Sequence, residues 1–206
     1  TVGYGMTECA PLIAYAPWQE ARVASCGRVV QRMEARIDSP DPENIPGVLW
    51  VRGDNVMQGY YKNPEATNEI LKDGWLYTGD MARMDEEGFI YLVDRKKDVI
   101  ITGGENLYPV QIEDFLRSYD KIKDVAVIGL PDPRLGEIAV AIVEIKENES
   151  CTQEEIDEFC QALPRYKRPR KIFFDKIPRN PTGKIEKPVL REKYCHGRLV
   201  EVQITG

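Results

Sequence analysis

The chain has 206 residues, of which 42% are hydrophobic and 30% are charged. This much apolar material can form one or two buried cores, so the composition excludes a disordered tail. The formal net charge of −6 argues against a protein that binds nucleic acid through bulk positive charge.

The five cysteines form no C-x-x-C pair and show no metal-ligand spacing, and the chain has a single histidine. We interpret the cysteines as free thiols in a reducing compartment and expect a cytoplasmic protein. The longest apolar runs, "VAVIGL" and "IAVAIV", are too short to span a bilayer, so no transmembrane segment is predicted. Nothing in the sequence indicates an oligomeric state.

The first half of the chain carries the signals of β-strands. Runs rich in Val, Ile, Tyr and Trp alternate with clusters of Pro, Gly, Asn and Asp. These runs are "GRVVQRMEARI", "GVLWVRGDNVMQGYY" and "WLYTGDMARMDEEGFIYLVD". In the last run, "DEEG" separates two alternating stretches and predicts a hairpin turn. The stretch from Pro40 to Pro46 contains three prolines and two acids and predicts a loop.

After the charged string at 94–98 the pattern changes to mixed helix and strand. Pro109 is suited to the first position of a helix. This predicted helix has one apolar stripe, formed by Ile112, Phe115, Leu116 and Tyr119. Two β-rich runs at 125–130 and 138–145 follow the helix, joined by the turn-like "PDPRLGE".

A second helix is predicted where Thr152 and Glu155 form a capping-box signature, and Pro164 should end it soon after. The run "KIFF" then predicts a further strand. The order helix, strand, strand, helix, strand indicates a small α+β domain, with a boundary at residues 94–98.

Six short motifs are spread in order over nearly the whole chain. They are "YGMTE" at 4–8, "GDNVMQGYYKNPEAT" at 53–67, "GWLYTGD" at 74–80, "GFIYLVDRKKDVIITGGENLYPVQIE" at 88–113, "LPRYKRP" at 163–169 and "NPTGK" at 180–184. In order and spacing they resemble the adenylate-forming superfamily, which includes acyl-CoA synthetases, peptide-synthetase adenylation domains and luciferases.

The resemblance implies an α+β fold in two parts. Residues 1–94 would form the β-rich, distorted barrel-like end of the large adenylate-forming domain. Residues 95–206 would form a small mobile C-terminal domain with a short sheet and flanking helices. The chain opens with "TVGYGMTE" and has no initiator methionine. We therefore expect the last part of a longer enzyme, whose phosphate loop and acyl pocket lie upstream.

The implied activity is that of an AMP-forming acid–thiol ligase. A carboxylate attacks the α-phosphate of ATP to give an acyl-adenylate and pyrophosphate, and a thiol then displaces AMP. Both reactants of the first step are anions, so catalysis depends on positive charge and positioned donors around the phosphoryl group. The implied partners are ATP, Mg²⁺, CoA and a small-molecule carboxylic acid, such as a fatty acid, with no nucleic acid.

The resemblance also assigns roles to individual residues. Lys184 would bridge the carboxylate and the α-phosphate, a role that suits a compact charge on a flexible stem. Glu8 would hold Mg²⁺, and Thr7 would offer its hydroxyl to phosphate. The other nucleotide contacts would come from Tyr4 and Gly5 against adenine, Asp80 on the ribose hydroxyls, and Arg95 on the ribose or phosphate.

Each of these residues also has an ordinary structural interpretation. Lys184 could be a solvated surface lysine, and Asp80 could be a turn or helix-cap aspartate. Arg95 could form a salt bridge to a nearby acid. The "YGMTE" stretch could be a plain turn from strand to loop.

The boundary segment has a predicted role in the second half-reaction. In the superfamily the small domain rotates between the two steps, and the resemblance places the pivot at Lys97. An exposed, unpacked position can absorb such a rotation in a few backbone angles. Gly103 and Gly104 of "TGGEN" would then leave room for the thin pantetheine arm of CoA. The alternative is a plain Gly-Gly turn before a helix.

The segment "DRKKDVIITGGENLYPVQIE" looks like the version found in acyl- and aryl-CoA ligases, and no carrier-protein serine motif follows "NPTGK". We therefore predict an acyl-CoA synthetase. A carrier-protein-loading adenylation enzyme is the alternative. The 206 residues by themselves could also be a catalytically inactive folded module. The motifs do not identify the acid.

Overall fold

The computed structural model describes residues 2–196, the last of them by its backbone only. These residues fall into two compact units, one that ends at Lys97 and one that begins at Asp98. Both units mix strands with helices, and the predicted α+β class is confirmed. No helix in the described part of the chain combines the length and apolar character needed to cross a membrane.

Two antiparallel sheets make up the first unit. The smaller one joins β1 (Val2–Gly5), β2 (Leu12–Ala16) and β3 (Arg28–Val29) in that order. The strands of the larger sheet are β4 (Met33–Asp38), β5 (Gly47–Gly53), β6 (Leu71–Lys72), β7 (Trp75–Met84) and β8 (Ile90–Arg95). Its order is β4-β5-β7-β6, and β8 pairs with β7 as well. Side chains of both sheets share one core, which includes Ile13, Leu49, Leu76 and Ile90.

The predicted hairpin turn at "DEEG" is confirmed between β7 and β8. The Asp85 carboxylate accepts a hydrogen bond from the Phe89 backbone N–H at 2.9 Å, and the Asp85 N–H donates to the Phe89 carbonyl at 3.1 Å. Gly88 has φ +82°, a left-handed conformation that glycine adopts without strain. The predicted loop from Pro40 to Pro46 is also confirmed, because no strand or helix covers it.

The predicted β-run at 47–61 is wrong in its second half. The strand β5 ends at Gly53, and residues 54–61 form turns. A helix that the sequence analysis did not predict follows, α1 (Pro64–Ile70). Its start is well marked, since the Asn63 side chain accepts from the Ala66 N–H at 3.1 Å and Pro64 occupies the first turn.

The second unit is built on one five-stranded sheet, with order β10-β9-β12-β11 and β13 parallel to β12. Its elements are β9 (Ile100–Thr102), β10 (Glu105–Leu107), α2 (Pro109–Arg117), β11 (Ile122–Asp132), β12 (Gly136–Ile145), α3 (Gln153–Phe159), β13 (Lys171–Phe174) and α4 (Lys187–His196). The predicted order helix, strand, strand, helix, strand is confirmed. The hairpin β9–β10 and the helix α4 were not predicted.

The predicted details of α2 and α3 are largely confirmed. Pro109 occupies the first turn of α2, and Ile112 and Leu116 are fully buried. The helix ends at Arg117, so Tyr119 lies beyond it, although its ring still packs against the same core. At α3 the capping box forms as predicted, and the helix ends in a 3₁₀ turn ahead of Pro164.

The strands β11 and β12 are buried on both faces, which explains why they read as nearly continuous apolar runs. On one face, Val125 and Val127 contact the core that α2 and α3 cover. On the other face, Ala126 and Ile128 pack with Leu190 of α4. Burial of one large aliphatic side chain contributes roughly 1.5–3 kcal/mol, so these two clusters are the main source of stability in the second unit.

A buried ion pair lies at the edge strand β11 and satisfies a backbone N–H of that strand. Glu113 of α2 accepts a hydrogen bond from the Val127 N–H at 2.8 Å and pairs with the Lys187 ammonium at 2.7 Å. The side chains of Glu113 and Lys187 are only 5% and 10% exposed. Lys187 is the first residue of α4, so the pair connects helices that pack on opposite faces of the sheet.

We expect the Lys187→Met variant to destabilise the second unit by about 3 kcal/mol, because it removes the ammonium that contacts the buried Glu113 carboxylate and leaves only Arg117, at 3.7 Å, on the other oxygen. Native-state hydrogen exchange at Val127 and its neighbours measures this opening free energy. Lys123→Met is the matched control. Lys123 lies on β11, the strand of Val127, and it pairs with Glu144 while its own side chain is about half exposed. Equal protection losses in the two variants would contradict the assigned role of the buried pair.

Candidate active site

The "YGMTE" motif covers the end of β1 and the first two residues of the 3₁₀ turn Thr7–Cys9 that follows it. The fully buried Cys9 anchors this turn in the core. Position 5 requires glycine for a structural reason, because a Cβ there would lie 1.9 Å from the Pro11 carbonyl oxygen. Thr7 is exposed, and its hydroxyl makes no hydrogen bond to residues 2–196.

Glu8 is held at both its backbone and its side chain by the turn segment 54–61. The Met57 N–H donates to the Glu8 carbonyl at 2.8 Å, and the Tyr60 hydroxyl donates to Oε1 of Glu8 at 2.7 Å. Tyr60 is itself fixed from α1, since its N–H donates to the Thr67 hydroxyl at 2.9 Å. The carboxylate of Glu8 therefore has a set direction although it is partly exposed.

Asp80 lies in a bulge that the "YTGD" motif creates in β7. Val48 and Trp50 of β5 pair with Met81 and Tyr77, so three residues of β7 lie opposite Leu49 alone. Thr78 closes the bulge by donating from its hydroxyl to the Leu49 carbonyl at 2.7 Å and accepting from the Asp80 N–H at 3.1 Å. Gly79 has φ +75°. Such bulges redirect a side chain, and here the redirected side chain is Asp80.

Three of the predicted nucleotide-binding residues come together around this bulge. The Tyr4 hydroxyl donates to Oδ2 of Asp80 at 2.5 Å. Arg95 pairs with Asp80 across β7 and β8, and its Nε lies 3.8 Å from Oδ1. Asp80 is 20% exposed and Arg95 57% exposed, so the arginine retains donors that face solvent.

The Tyr4 phenol stays protonated in this cluster. Burial, and then the neighbouring charge of Asp80, raise the pKa of Tyr4 far above its ordinary value. Tyr4 therefore acts as a hydrogen-bond donor at neutral pH. The second carboxylate oxygen of Asp80 accepts no hydrogen bond from the described residues and faces only the distant Arg95.

Lys184 projects from a closed hairpin in the second unit. Arg179 and Ile185 form a β-bridge, the Asn180 N–H donates to the Lys184 carbonyl at 2.9 Å, and the Gly183 N–H donates to the Asn180 carbonyl at 2.8 Å. Gly183 has φ +83°. We call residues 179–185 the lysine hairpin.

Asn180 organises the tip of the lysine hairpin. Its Oδ1 accepts from the Thr182 N–H, the Thr182 hydroxyl and the Lys184 N–H, at 3.1, 2.8 and 2.9 Å. The Lys184 side chain is exposed, and its ammonium has no partner among residues 2–196. The backbone of the lysine hairpin is therefore fixed by hydrogen bonds, while the Lys184 ammonium that it carries is exposed.

Gly103 and Gly104 form the two-residue turn between β9 and β10. Both have positive φ, +58° and +88°, which is the pattern of a type I′ hairpin turn. The Gly103 N–H donates to the Leu135 carbonyl at 2.8 Å. The alternative of a plain Gly-Gly turn is thus sufficient to explain why both residues are glycine. A Cβ at Gly104 would meet no atom within 4 Å.

Lys97 is exposed in the single 3₁₀ turn Lys96–Asp98 and is the last residue of the first unit. The next residue, Asp98, is buried and pairs with Arg191 of α4 at 2.7 Å. The packed structure of the second unit therefore begins directly after Lys97.

Comparison with known proteins identifies the family. The family model "AMP-binding enzyme" matches residues 1–61, and the model "AMP-binding enzyme C-terminal domain" matches residues 111–184. The chain belongs to the adenylate-forming superfamily of AMP-binding enzymes. The resemblance drawn from the six motifs is confirmed.

Curated members of this superfamily match nearly the whole chain. It is 43% identical over 198 residues to a long-chain-fatty-acid–CoA ligase of Escherichia coli O157:H7, covering 93% of this chain and 35% of that protein. It is 43% identical over 178 residues to the long-chain-fatty-acid–CoA ligase FadD13 of Mycobacterium tuberculosis, covering 84% of this chain and 35% of that protein. The chain therefore spans about a third of the length of these relatives.

Solved structures of adenylate-forming enzymes have the same fold. ATP-bound MatB from Rhodopseudomonas palustris is 34% identical with a TM-score of 0.85, over 93% of this chain and 40% of that one. The o-succinylbenzoate CoA synthetase MenE from Bacillus subtilis, in complex with its acyl-adenylate intermediate, is 32% identical with a TM-score of 0.84, over 92% of this chain and 40% of that one.

Sequence reasoning missed several residues that shape this candidate site. Tyr60, Thr78 and Asn180 each lie inside a motif that was recognised, yet no role was assigned to them. Asn180 had a readable signal, since Asn before Pro in a Gly-containing stretch is typical of a side-chain-supported turn. Tyr60 had none, because its partner Glu8 is 52 residues away in the chain.

Proposed function

We propose that the complete protein is an ATP-dependent acyl-CoA synthetase. It would join a fatty acid or related carboxylic acid to AMP and then transfer the acyl group to CoA. The observation that carries the proposal is the convergence of Tyr4, Asp80 and Arg95, which come from three separate motifs, on one polar cluster. The names of the curated relatives support the choice of acid and acceptor.

In this proposal the cluster around Asp80 binds the nucleoside. The carboxylate accepts ribose hydroxyls, and the bound Tyr4 hydroxyl leaves Oδ1 available for them. Tyr4 and Gly5 border the adenine. Arg95 has exposed donors for the ribose or a phosphate, which a guanidinium can contact with two parallel hydrogen bonds.

Glu8 would hold Mg²⁺, and Thr7 would contact a phosphate. Glu8 would be the only protein ligand proposed for the ion. No group of three or more His, Cys, Asp or Glu residues in the described part could hold a metal ion. Mg²⁺ commonly takes one or two carboxylates and completes its shell with water and substrate phosphates, so one oriented carboxylate suffices. When bound, the ion would neutralise phosphate charge. Tyr60 keeps Glu8 in place for it.

Lys184 would supply the positive charge of the first half-reaction. The attacking carboxylate and the α-phosphate repel each other, and an ammonium between them offsets this repulsion most strongly as the two approach. The lysine hairpin suits the task, since its ammonium is not neutralised by any carboxylate among the described residues. Its internal hydrogen bonds fix the backbone before substrate arrives.

The full-length gene product is the protein to assay, with ATP, Mg²⁺, CoA and carboxylic acids of different chain lengths. We expect AMP formation that requires both an acid and CoA. Lys184→Ala should lower acyl-adenylate formation about 100-fold or more, while Lys146→Ala, an exposed lysine elsewhere in the unit, should leave it unchanged. Pyrophosphate release without any effect of CoA would redirect the search to a carrier protein. An unchanged Lys184→Ala rate would remove the proposed role of this lysine.

The division of labour between domains is also part of the proposal. Residues 1–94 and 95–206 would belong to domains that reorient between the half-reactions, with Lys97 as the pivot. Lys97 suits a pivot because it is exposed and is followed at once by the buried Asp98. Lys97→Pro restricts one backbone angle and should abolish thioester formation while acyl-adenylate formation persists. Equal loss of both steps would count against a hinge.

The turn at Gly103 and Gly104 would admit the pantetheine arm of CoA in the second half-reaction. Gly103→Asn separates this role from the turn itself, because Asn-Gly is the preferred type I′ sequence and keeps the hairpin. We expect unchanged hydrogen exchange in β9 and β10 but loss of thioester formation from supplied acyl-adenylate and CoA. Full activity of this variant would mean that the glycines serve only the turn.

A further inference from the structure

The lysine hairpin is tied to the sheet by one side chain. Arg179, at its base, donates from Nη1 to the Gly183 carbonyl at 2.5 Å. The same guanidinium reaches Asp124 of β11, with Nη2 at 2.5 Å and Nε at 3.1 Å from Oδ2. Arg179 therefore connects the peptide unit directly before Lys184 to a strand of the central sheet.

Asp124 is a firm anchor for this contact. Its side chain is 14% exposed, and its Oδ1 accepts from the Val125 N–H at 2.9 Å. It lies at the irregularity of β11, where the pairing register with β12 shifts between Ile122 and Asp124. Arg117 at the end of α2 approaches the same Oδ1, with its Nε at 3.7 Å. Strand, helix and hairpin thus meet at one carboxylate.

The geometry points to Arg179 and Asp124 as positioning residues for Lys184, an inference that rests on the proposed function. Neither residue needs to touch a substrate. The Gly183 carbonyl belongs to the peptide that carries the Lys184 N–H, and this N–H is bonded to Asn180. Fixing both ends of that peptide fixes its plane. The Lys184 carbonyl on the other side of the residue accepts from the Asn180 N–H at 2.9 Å, so the three contacts together set the direction of the Lys184 Cα–Cβ bond.

The arrangement needs an arginine for a geometric reason. A guanidinium offers several N–H donors in a rigid plane, so it can bond Asp124 on one side and the Gly183 carbonyl on another. A lysine ammonium is a compact point charge and would hold the carboxylate without fixing the carbonyl. Arg179→Lys should therefore keep the ion pair and lose most of the positioning.

Displacement of a catalytic group by about 1 Å can cost roughly 100-fold in rate. We expect Arg179→Ala to lower acyl-adenylate formation by the full-length protein about 10- to 100-fold, and Arg179→Lys to fall between it and wild type. Thioester formation from supplied acyl-adenylate and CoA should change little, because Lys184 has no part in that step. Arg170→Ala removes an exposed arginine of the same unit and is the matched control.

Combination with Lys184→Ala distinguishes positioning from general destabilisation. If Arg179 acts through Lys184, the Arg179→Ala/Lys184→Ala double variant should be no slower in adenylate formation than Lys184→Ala alone. The inference would be overturned if adding Arg179→Ala to Lys184→Ala slowed adenylate formation by the same factor as Arg179→Ala does in the wild-type protein. Equal effects of Arg179→Ala and Arg170→Ala would also overturn it. If Lys184→Ala itself has no effect, it is the proposed function of Lys184 that fails.

Asp124→Asn gives an independent check if Arg179→Ala does not fold. It keeps the size of the anchor and its hydrogen bond from the Val125 N–H but removes the charge that holds Arg179. The inference requires a selective loss of adenylate formation in this variant, again absent in the Lys184→Ala background. Hydrogen exchange of β11 and β12 verifies that the sheet is intact.

Discussion

Burial of β11 and β12 on both faces is the constraint on which the second unit depends. Alternate side chains such as Val127 and Ile128 point to opposite sides, so each face of the sheet needs its own apolar cover. α2 and α3 cover one face. On the other, α4 provides Leu190 and the chain leading to it provides Ile177 and Ile185. Because Ile185 is drawn into this core, the adjacent Lys184 is held at a defined place on the surface.

Short polar side chains fix several loops of the fold through hydrogen bonds to the backbone of the same loop. Asp85, Thr78 and Asn180 each bond backbone groups a few residues away and so replace hydrogen bonds that a regular ladder would supply. This device allows a loop to leave the sheet without orphaned backbone groups. The charged residues beside these loops, Asp80 and Lys184, therefore need not contribute to folding and remain available for ligands.

Much of the fold could be predicted because its signals are local. The stripe of α2, the capping box of Thr152 and the turn at Asp85 depend on residues within a few positions of each other. The helix α1 carried the same kind of signal in Asn63 and Pro64, but the sequence analysis assigned only the β-rich run that ends at residue 61 and did not interpret the residues after it. The motifs likewise named the residues of the Asp80 cluster without revealing their contacts.

What remained hidden depends on long-range pairing. The bulge at Asp80 requires the register between β5 and β7, which no local pattern encodes. The bond from Tyr60 to Glu8 and the pair of Arg179 with Asp124 join segments 52 and 55 residues apart. The roles of such residues follow from the folded geometry, while their chemical type alone is compatible with any polar surface position.

A chain of net charge −6 has an excess of acids, and the acids that its fold buries have to be neutralised. The second unit does this with specific pairs, since Arg179 and Arg117 flank Asp124, Lys187 meets Glu113, and Arg191 meets Asp98. Of these pairs, the one between Arg179 and Asp124 neutralises a carboxylate bound to the lysine hairpin, which could otherwise attract the Lys184 ammonium. Arg179, Lys187 and Arg191 are each bound to a carboxylate, whereas the Lys184 ammonium has no partner among the described residues. The pair of Arg179 with Asp124 thus anchors the lysine hairpin and at the same time keeps this carboxylate from neutralising Lys184.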